Sequence, residues 1–286
     1  MTYTLAIGDR TYSSWSLRGW LLFGAFDIPV KTELLPMKTP AFAAGLEPYA
    51  PARLVPALRF DDTVVWDTLA IAETLSERHP DAGYWPSDPA QRALARSITA
   101  EMHSGFTALR SACPMVLSHK WAGFDASAAV IADLARIEAL WGACPNTDWL
   151  FGGYSVVDAF YAPVAMRIAG YGLPVSATAQ AYVDKHLAHQ PFRQWRAMGA
   201  AEHSALSVYE LGYVKEAWPG PTPIEAMVEI GGTPLNETCP FSGGPVQRDS
   251  LARIEGQIVG FCNRFCRDKV VADPEAWPEV MALLKG

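Results

Sequence analysis

The sequence predicts an α/β domain, then an all-α domain, then a small cysteine-bearing module of metal-site type, and three observations carry that order. A strand-like run at 4–7, a serine-rich helix start at 13–16, a strand–turn–strand over 57–66 and a second helix start at Asp67-Thr68 alternate within the first eighty residues. From Asp88 onward, apolar residues recur at helical spacing. After Glu210 the texture becomes rich in proline and glycine, and three cysteines follow at Cys239, Cys262 and Cys266. These changes set domain boundaries at 1–80, 88–212 and 230–286.

In the first domain the hydroxyl residues Ser13, Ser14 and Ser16 lead into Leu17, Trp20, Leu21 and Ile28, an amphipathic stretch with a capped start. A helix start presents unpaired N–H groups and partial positive charge, which suits a thiolate or another anion. Val55-Pro56 precedes a strand-like run at 57–60. A proline there is either an ordinary strand-entry residue or a cis bend that turns the Val55 amide and carbonyl toward an open edge, where an extended peptide can pair. Asp61-Asp62 makes the turn, 63–66 returns as a strand, and Asp67-Thr68 opens a helix over 69–78. The Thr68 hydroxyl and N–H suit a carboxylate, and the Asp67 carboxylate suits an ammonium.

This succession of strand, serine-rich helix start, strand, Val-Pro, hairpin and Asp-Thr helix resembles the thioredoxin-like domain of the glutathione transferase family. The Ser-Ser-x-Ser-x-Arg form of Ser13 to Arg18 is similar to its zeta-type members, which include maleylacetoacetate isomerases. The resemblance implies that Ser13, with Ser14 beside it, activates the glutathione sulfur. It implies that the Val55 backbone with Pro56 meets the cysteinyl part, and that Asp67 and Thr68 hold the γ-glutamyl end. Lys38 and Arg53, in nearby loops, are candidates for the glycyl carboxylate. Trp15 stands where the zeta pattern has cysteine, which weighs against the isomerase reaction, and Asp67 stands where many relatives have glutamate.

His79-Pro80-Asp81-Ala82-Gly83 ends the first domain, and Asp88-Pro89 opens a long helix with an N-cap aspartate and a proline in its first turn. Further helices are predicted over 126–141, 156–169 and 178–189. Ser155-Val156-Val157-Asp158 is a capping box ahead of an apolar helix, and it resembles the folding-signal helix of glutathione transferases. Ser155 and Asp158 are therefore read as structural, and Pro163 as a bend or a residue of the early turns. Met102, His103, Phe106 and Trp121 are candidates for the wall of an electrophile pocket. Cys113 and Cys144, each followed by proline, are read as buried or helix-end residues.

Trp218-Pro219-Gly220-Pro221-Thr222-Pro223 reads as a linker. Beyond it, Cys239-Pro240 opens a knuckle-like turn, a strand-like run covers 257–261, and Cys262 and Cys266 lie four apart. Three thiolates can converge on one zinc, which takes sulfur ligands at about 2.3 Å and helps a module with little core to fold. Three free thiols or a Cys262–Cys266 disulfide are the alternatives. The spacing resembles the treble-clef modules called TRASH or YHS domains, whose knuckle often carries a cysteine where this chain has Ser242.

With 286 residues, half of them hydrophobic and 19% charged, the chain can bury full cores. A formal charge of −7 argues against a nucleic-acid groove. Neither a signal peptide nor a membrane span is legible, and five cysteines fit a reducing compartment, so a cytoplasmic location is expected. The expected function is a glutathione transferase acting on a small hydrophobic electrophile, with glutathione as co-substrate and zinc in the tail. The alternatives are a non-catalytic thiol- or partner-binding protein with a metal-sensing tail, and a zeta-like isomerase. The resemblance also implies a homodimer.

Overall fold

The computed structural model describes residues 2–145 and 148–285. The chain divides into two compact units, one of Met1–His186 with Ser207–Pro219 and one of Leu187–Leu206 with Gly220–Gly286. Among the described residues no helix is long and apolar enough to cross a membrane.

The first unit begins with a thioredoxin-like sheet. Strand β1 (Tyr3–Ile7) leads through helix α1 (Ser14–Gly24) to β2 (Val30–Leu34), which lies parallel to β1. Helix α2 (Pro40–Leu46) then precedes β3 (Ala57–Phe60) and β4 (Thr63–Val65), an antiparallel hairpin, and α3 (Thr68–Arg78) follows. The strand order is β2-β1-β3-β4, with β3 antiparallel to β1. Leu5, Ile7, Leu17, Leu21 and Leu58 are fully buried, so the apolar faces of β1, β3 and α1 make one core. Strand β2 takes the place of the strand expected between the serine-rich helix start and Val55-Pro56, whereas α2 has no counterpart among the expected elements.

Helices α4 (Pro89–Ser104), α5 (Thr107–Ala112), α6 (Ala128–Gly142), α7 (Val156–Tyr171) and α8 (Ala177–Ala188) form the helical layer. Every residue of α7 is buried, as expected of a helix apolar all round, and it packs on α1 and α4. Its first turn is fixed by the predicted capping box. Asp158 accepts from the Ser155 N–H and hydroxyl, both at 2.9 Å, from the Leu150 N–H at 3.3 Å and from the Tyr182 hydroxyl at 2.7 Å. Burial pushes its carboxyl up to about 6, against these four donors. The helix runs through Pro163, whose carbonyl accepts from Arg167 one turn on.

The segment Ser207–Pro219 belongs to this same unit. Its strand β6 (Val214–Glu216) pairs antiparallel with β5 (Lys120–Ala122). Lys120 donates to Glu216 at 2.9 Å across the pair.

The second unit holds α9 (Gln190–Ala201), the antiparallel sheet β7 (Ala226–Glu229), β8 (Leu251–Ile254) and β9 (Gln257–Gly260), and helices α10 (Arg264–Ala272) and α11 (Pro278–Lys285). The two-residue turn Glu255-Gly256 joins β8 to β9 with both φ angles positive, at 45° and 83°, the geometry that suits a tight hairpin. Ala252, Ile254, Val259, Phe261, Val270 and Trp277 form its core with Ala197 of α9. Arg193 of α9 makes a two-pronged pair with the buried carboxylate of Asp273, at 2.8 and 2.7 Å.

The α7 box generates a stability prediction. Asp158→Ala leaves buried donors without an acceptor and is expected to cost about 3 kcal/mol of unfolding free energy. Urea denaturation measures it, and a loss below about 1 kcal/mol would show that the box does not hold the helix start.

Candidate functional site

A cavity of about 720 Å³ opens in the first unit beside the N-termini of α1 and α3. One wall is Tyr12, Ser13, Ser14 and Trp15, and another is Leu54, Val55, Pro56, Trp66, Asp67 and Thr68. Met37 and Phe42 border it, while Thr107, Arg110, Ser111, Pro114, Met115, Arg167 and Tyr209 face them.

The chain builds the first wall by capping α1. Ser13 is its N-cap: the Ser13 oxygen accepts from the Ser16 N–H at 3.3 Å, and its hydroxyl contacts the Ser16 hydroxyl at 2.8 Å. Ser16, fully buried, also accepts from the Gly8 N–H at 2.9 Å and so ties the helix start to the end of β1. Ser14 is half-buried, and its oxygen accepts from the Arg167 guanidinium at 3.3 Å. Two hydroxyls thus stand at a helix end that carries partial positive charge.

The second wall follows from the Val55–Pro56 bond, which is cis, and from the cap of α3. Asp67 is that N-cap, accepting from the Leu69 N–H at 2.9 Å. Its other oxygen lies 3.3 Å from His103 Nε2. Burial lowers the basicity of His103; Asp67 opposes that shift, and Arg18 and Arg110 add to it. The Thr68 hydroxyl is buried and has no hydrogen-bond partner among the described residues.

Trp15 lies over the buried guanidinium of Arg18 at 3.9 Å, meets Arg110 at 5.1 Å and touches the edge of His103 at 5.1 Å. Burial, then the charge of Arg110, pushes Arg167 down to about 10 and Arg18 down to about 9; Asp67 opposes the shift at Arg18. The three hydrogen bonds of Arg167 go to neutral oxygens, the carbonyls of Cys113 at 2.9 Å and Pro163 at 3.1 Å and the hydroxyl of Ser14. Such a guanidinium offers its charge to whatever enters the cavity.

Ser13, Ser14, Val55, Pro56, Asp67 and Thr68 are thus brought to one cavity. Lys38 and Arg53 are exposed; they neighbour the lining residues Met37 and Leu54 in the chain but do not line the cavity themselves. Met102, His103, Phe106 and Trp121, read from the sequence as pocket walls, do not line it either. Met102, Phe106 and Trp121 are buried in the helical layer, and His103 serves Asp67. Sequence reading missed Arg110, Arg167 and Tyr209. The signal for Arg167 was a charged residue in an otherwise apolar helix; Tyr209 carried none.

In the second unit the three predicted sulfurs of Cys239, Cys262 and Cys266 lie within 4.8 Å of one another. Cys239 begins a knuckle closed by its N–H to the Gly244 carbonyl at 2.8 Å and by the Gly243 N–H to its own carbonyl at 2.9 Å. Gly243 has a φ of +68°, which favours glycine. Cys262 follows β9, and Cys266 sits in the first turn of α10. Burial works against the Cys239 thiolate, yet hydrogen bonds from the backbone of Cys262, Phe241 and Ser242 outweigh it and bring the thiol down to about 7. Ser242 donates to the Cys262 sulfur at 3.2 Å and Asn263 does so at 3.3 Å. Burial, with the neighbouring Cys239 and Cys262, pushes the Cys266 thiol up to about 12, and Lys269 opposes that shift. Three clustered sulfurs, two of them with donors turned toward them, fit a thiolate-binding cation such as zinc. All five cysteines are free of disulfides, which answers the Cys262–Cys266 alternative.

Residues 12–78 match the family model described as the N-terminal domain of glutathione S-transferase. The chain is 33% identical to a probable maleylacetoacetate isomerase of Caenorhabditis elegans over 135 residues, covering 46% of this chain and 62% of that protein. It is 31% identical to a maleylacetoacetate isomerase of Rattus norvegicus over 103 residues, 36% of this chain and 48% of that one. Against the maleylacetoacetate isomerase of Pseudomonas aeruginosa it is 29% identical over 155 residues, 50% of this chain and 71% of the relative. Among solved structures, a glutathione transferase homolog from Burkholderia gl BGR1 with bound glutathione superposes with a TM-score of 0.55 at 20% identity, over 70% of this chain and 98% of that one. A maleylacetoacetate isomerase from Anaeromyxobacter dehalogenans with bound glutathione gives 0.50 at 19%, over 68% and 94%. At these identities the structural likeness shows a shared fold.

The α1 cap is testable on its own. Ser16→Ala strands the buried Gly8 N–H and is expected to cost about 1–3 kcal/mol in urea denaturation. A neutral outcome would mean that water or another group satisfies the Gly8 donor.

Proposed function

We propose that the chain is a glutathione-dependent enzyme for a small electrophile bearing a carboxylate, working by reversible thiol addition of the isomerase type. Net conjugation is the second reading. The observation that carries the proposal is the pair Arg110 and Arg167 lining the cavity with the capped start of α1, Arg167 being bonded, among the described residues, to neutral oxygens. The names of the sequence relatives support the isomerase form over simple transfer.

In this reading glutathione lies along the Val55–Pro56 edge, its cysteinyl amide and carbonyl pairing with the Val55 backbone. Asp67 takes the ammonium of the γ-glutamyl end, and Thr68 takes its carboxylate with N–H and hydroxyl. Lys38 and Arg53 on the rim reach the glycyl carboxylate. The sulfur rests at the start of α1, where Ser13 and Ser14 donate hydroxyl protons to it and the helix end adds positive potential. Both favour the thiolate near pH 7.

The thiolate adds to the conjugated carbon, forming a C–S bond while the π electrons move onto the carbonyl oxygen. The former double bond is now single and rotates. Collapse of the enolate re-forms the double bond in the trans sense and expels the thiolate, so glutathione is unchanged. For conjugation, a proton captured at carbon replaces that collapse. Arg110 and Arg167 hold the carboxylate and spread the developing negative charge. Trp15, weighed against isomerisation in the sequence, lines the cavity and packs on Arg18, Arg110 and His103.

Cys239, Cys262 and Cys266 would hold zinc, which when bound supplies a structural cross-link between the knuckle and α10. We further propose a homodimer and a cytoplasmic location, the latter supported by five unpaired thiols.

The reading is tested with glutathione and a maleyl diketo acid. Isomerisation without net loss of glutathione is expected; consumption of glutathione points to conjugation, and the absence of both removes the enzyme reading. Asp67→Ala is expected to weaken glutathione binding about tenfold in calorimetry. Ser13→Ala is expected to keep that binding while losing about tenfold of the thiolate band at pH 7, one pKa unit. A Ser13→Ala protein with an undiminished band would shift the role to Ser14. Elemental analysis of the purified protein should give about one zinc per chain; metal-free protein with three titratable tail thiols would remove that site.

A further inference from the structure

The cavity has one wall that the α/β sheet and the helical layer do not supply. After α8 the chain leaves the first unit at His186 and re-enters it at Ser207. The returning segment is fastened at several points. β6 pairs with β5, Lys120 bonds to Glu216, and Lys215 pairs with Glu210 at 2.7 Å and lies over the Trp121 ring at 5.5 Å. Tyr213 meets Phe124 edge-on at 5.6 Å. Ahead of these fastenings, Tyr209 stacks on Tyr12, with ring centroids 4.7 Å apart and planes inclined by 18°.

Tyr12 directly precedes the Ser13 cap, so the stack places the Tyr209 ring over the serine end of the cavity, which Tyr209 lines together with Arg167. Burial raises the phenol and Asp9 adds to that shift, while the charge of Arg167 opposes it, so the hydroxyl stays protonated at neutral pH and lies within the field of Arg167. Asp9, whose charge also acts on the phenol, accepts from the Met37 N–H at 2.8 Å, while among the described residues the hydrogen bonds of Arg167 go to neutral oxygens. A neutral O–H that lines the same cavity as such a guanidinium offers two points to one anion: charge from one group, a directed hydrogen bond from the other.

We propose that Tyr209 is a specificity-determining residue of the second-substrate subsite, its hydroxyl donating to the carboxylate that Arg167 attracts, so that an acid is selected over its neutral ester. This rests on the carboxylated-electrophile reading above. It adds a residue from a segment beyond the matched N-terminal domain, and it assigns that segment a role in substrate choice.

The test uses the full chain with glutathione and either 3-benzoylacrylic acid or its methyl ester, and compares wild type with Tyr209→Phe, which keeps the ring stack and removes only the hydroxyl. For the acid, kcat/KM is expected to fall about tenfold, chiefly through KM. For the ester it should change less than about twofold, with the KM for glutathione unmoved. A calorimetric titration of the unreactive 3-benzoylpropionic acid into the glutathione-loaded protein should show the same tenfold weakening. Equal losses for acid and ester, or none for either, overturn the proposal. A wild type that accelerates neither reaction yet binds 3-benzoylpropionic acid more tightly than Tyr209→Phe would fail the enzyme reading and keep the receptor; a wild type that binds neither glutathione nor the acid would end both.

Discussion

Four hydrogen bonds converge on the carboxylate of Asp158, and the position of Arg167 depends on them. They fix the first turn of α7, and α7 is buried along its whole length against α1 and α4. A helix gripped on all sides cannot rotate without disturbing every neighbour. Arg167 lies nine residues beyond Asp158, two and a half turns on, with its guanidinium braced by the Cys113 and Pro163 carbonyls. From there it reaches Ser14 at the start of α1. A structural box in one helix thereby aims a cation at the capped start of another, and the cost of burying that cation is offset in part by three neutral acceptors.

Much of this arrangement was legible in the sequence, for identifiable reasons. Caps are local, so Ser13, Asp67, Asp88 and Ser155 each announced the helix they begin. The α/β order of the first domain and the cysteine-bearing tail were legible for the same reason: turn residues and helix starts act over a few positions. What escaped was whatever depends on distant packing. Met102, Phe106 and Trp121 have the composition of a pocket wall and the location of a core. Arg110 sits on the short helix α5, which no sequence signal announced, and its place at the cavity depends on how α5 packs. α2 buries only Leu46, and its apolar pattern is correspondingly weak.

The tail shows the opposite balance. Spacing alone foretold that Cys239, Cys262 and Cys266 could meet, because a knuckle, a hairpin and a helix start leave few ways to connect them. The hydrogen bonds that prepare the sulfurs were not legible. Ser242, where a further cysteine is common in the modules this tail resembles, donates to the Cys262 sulfur instead. A hydroxyl in that place supports a thiolate but adds no ligand, so the site has three sulfurs and is assisted by its surroundings.

The return of the chain at Ser207–Pro219 has a consequence for the order in which the molecule can be finished. On a ribosome, the sheet, α1, α3 and helices α4 to α8 emerge before α9, and the Tyr12–Tyr209 stack forms only once α9 and the stretch after it have followed. The nascent first unit can bury its core while its cavity is still open on the Tyr209 side. Completion of the Tyr209 wall is thus separated in time from synthesis of the sheet and helices α1 to α8, and a chain arrested before Ser207 would lack it.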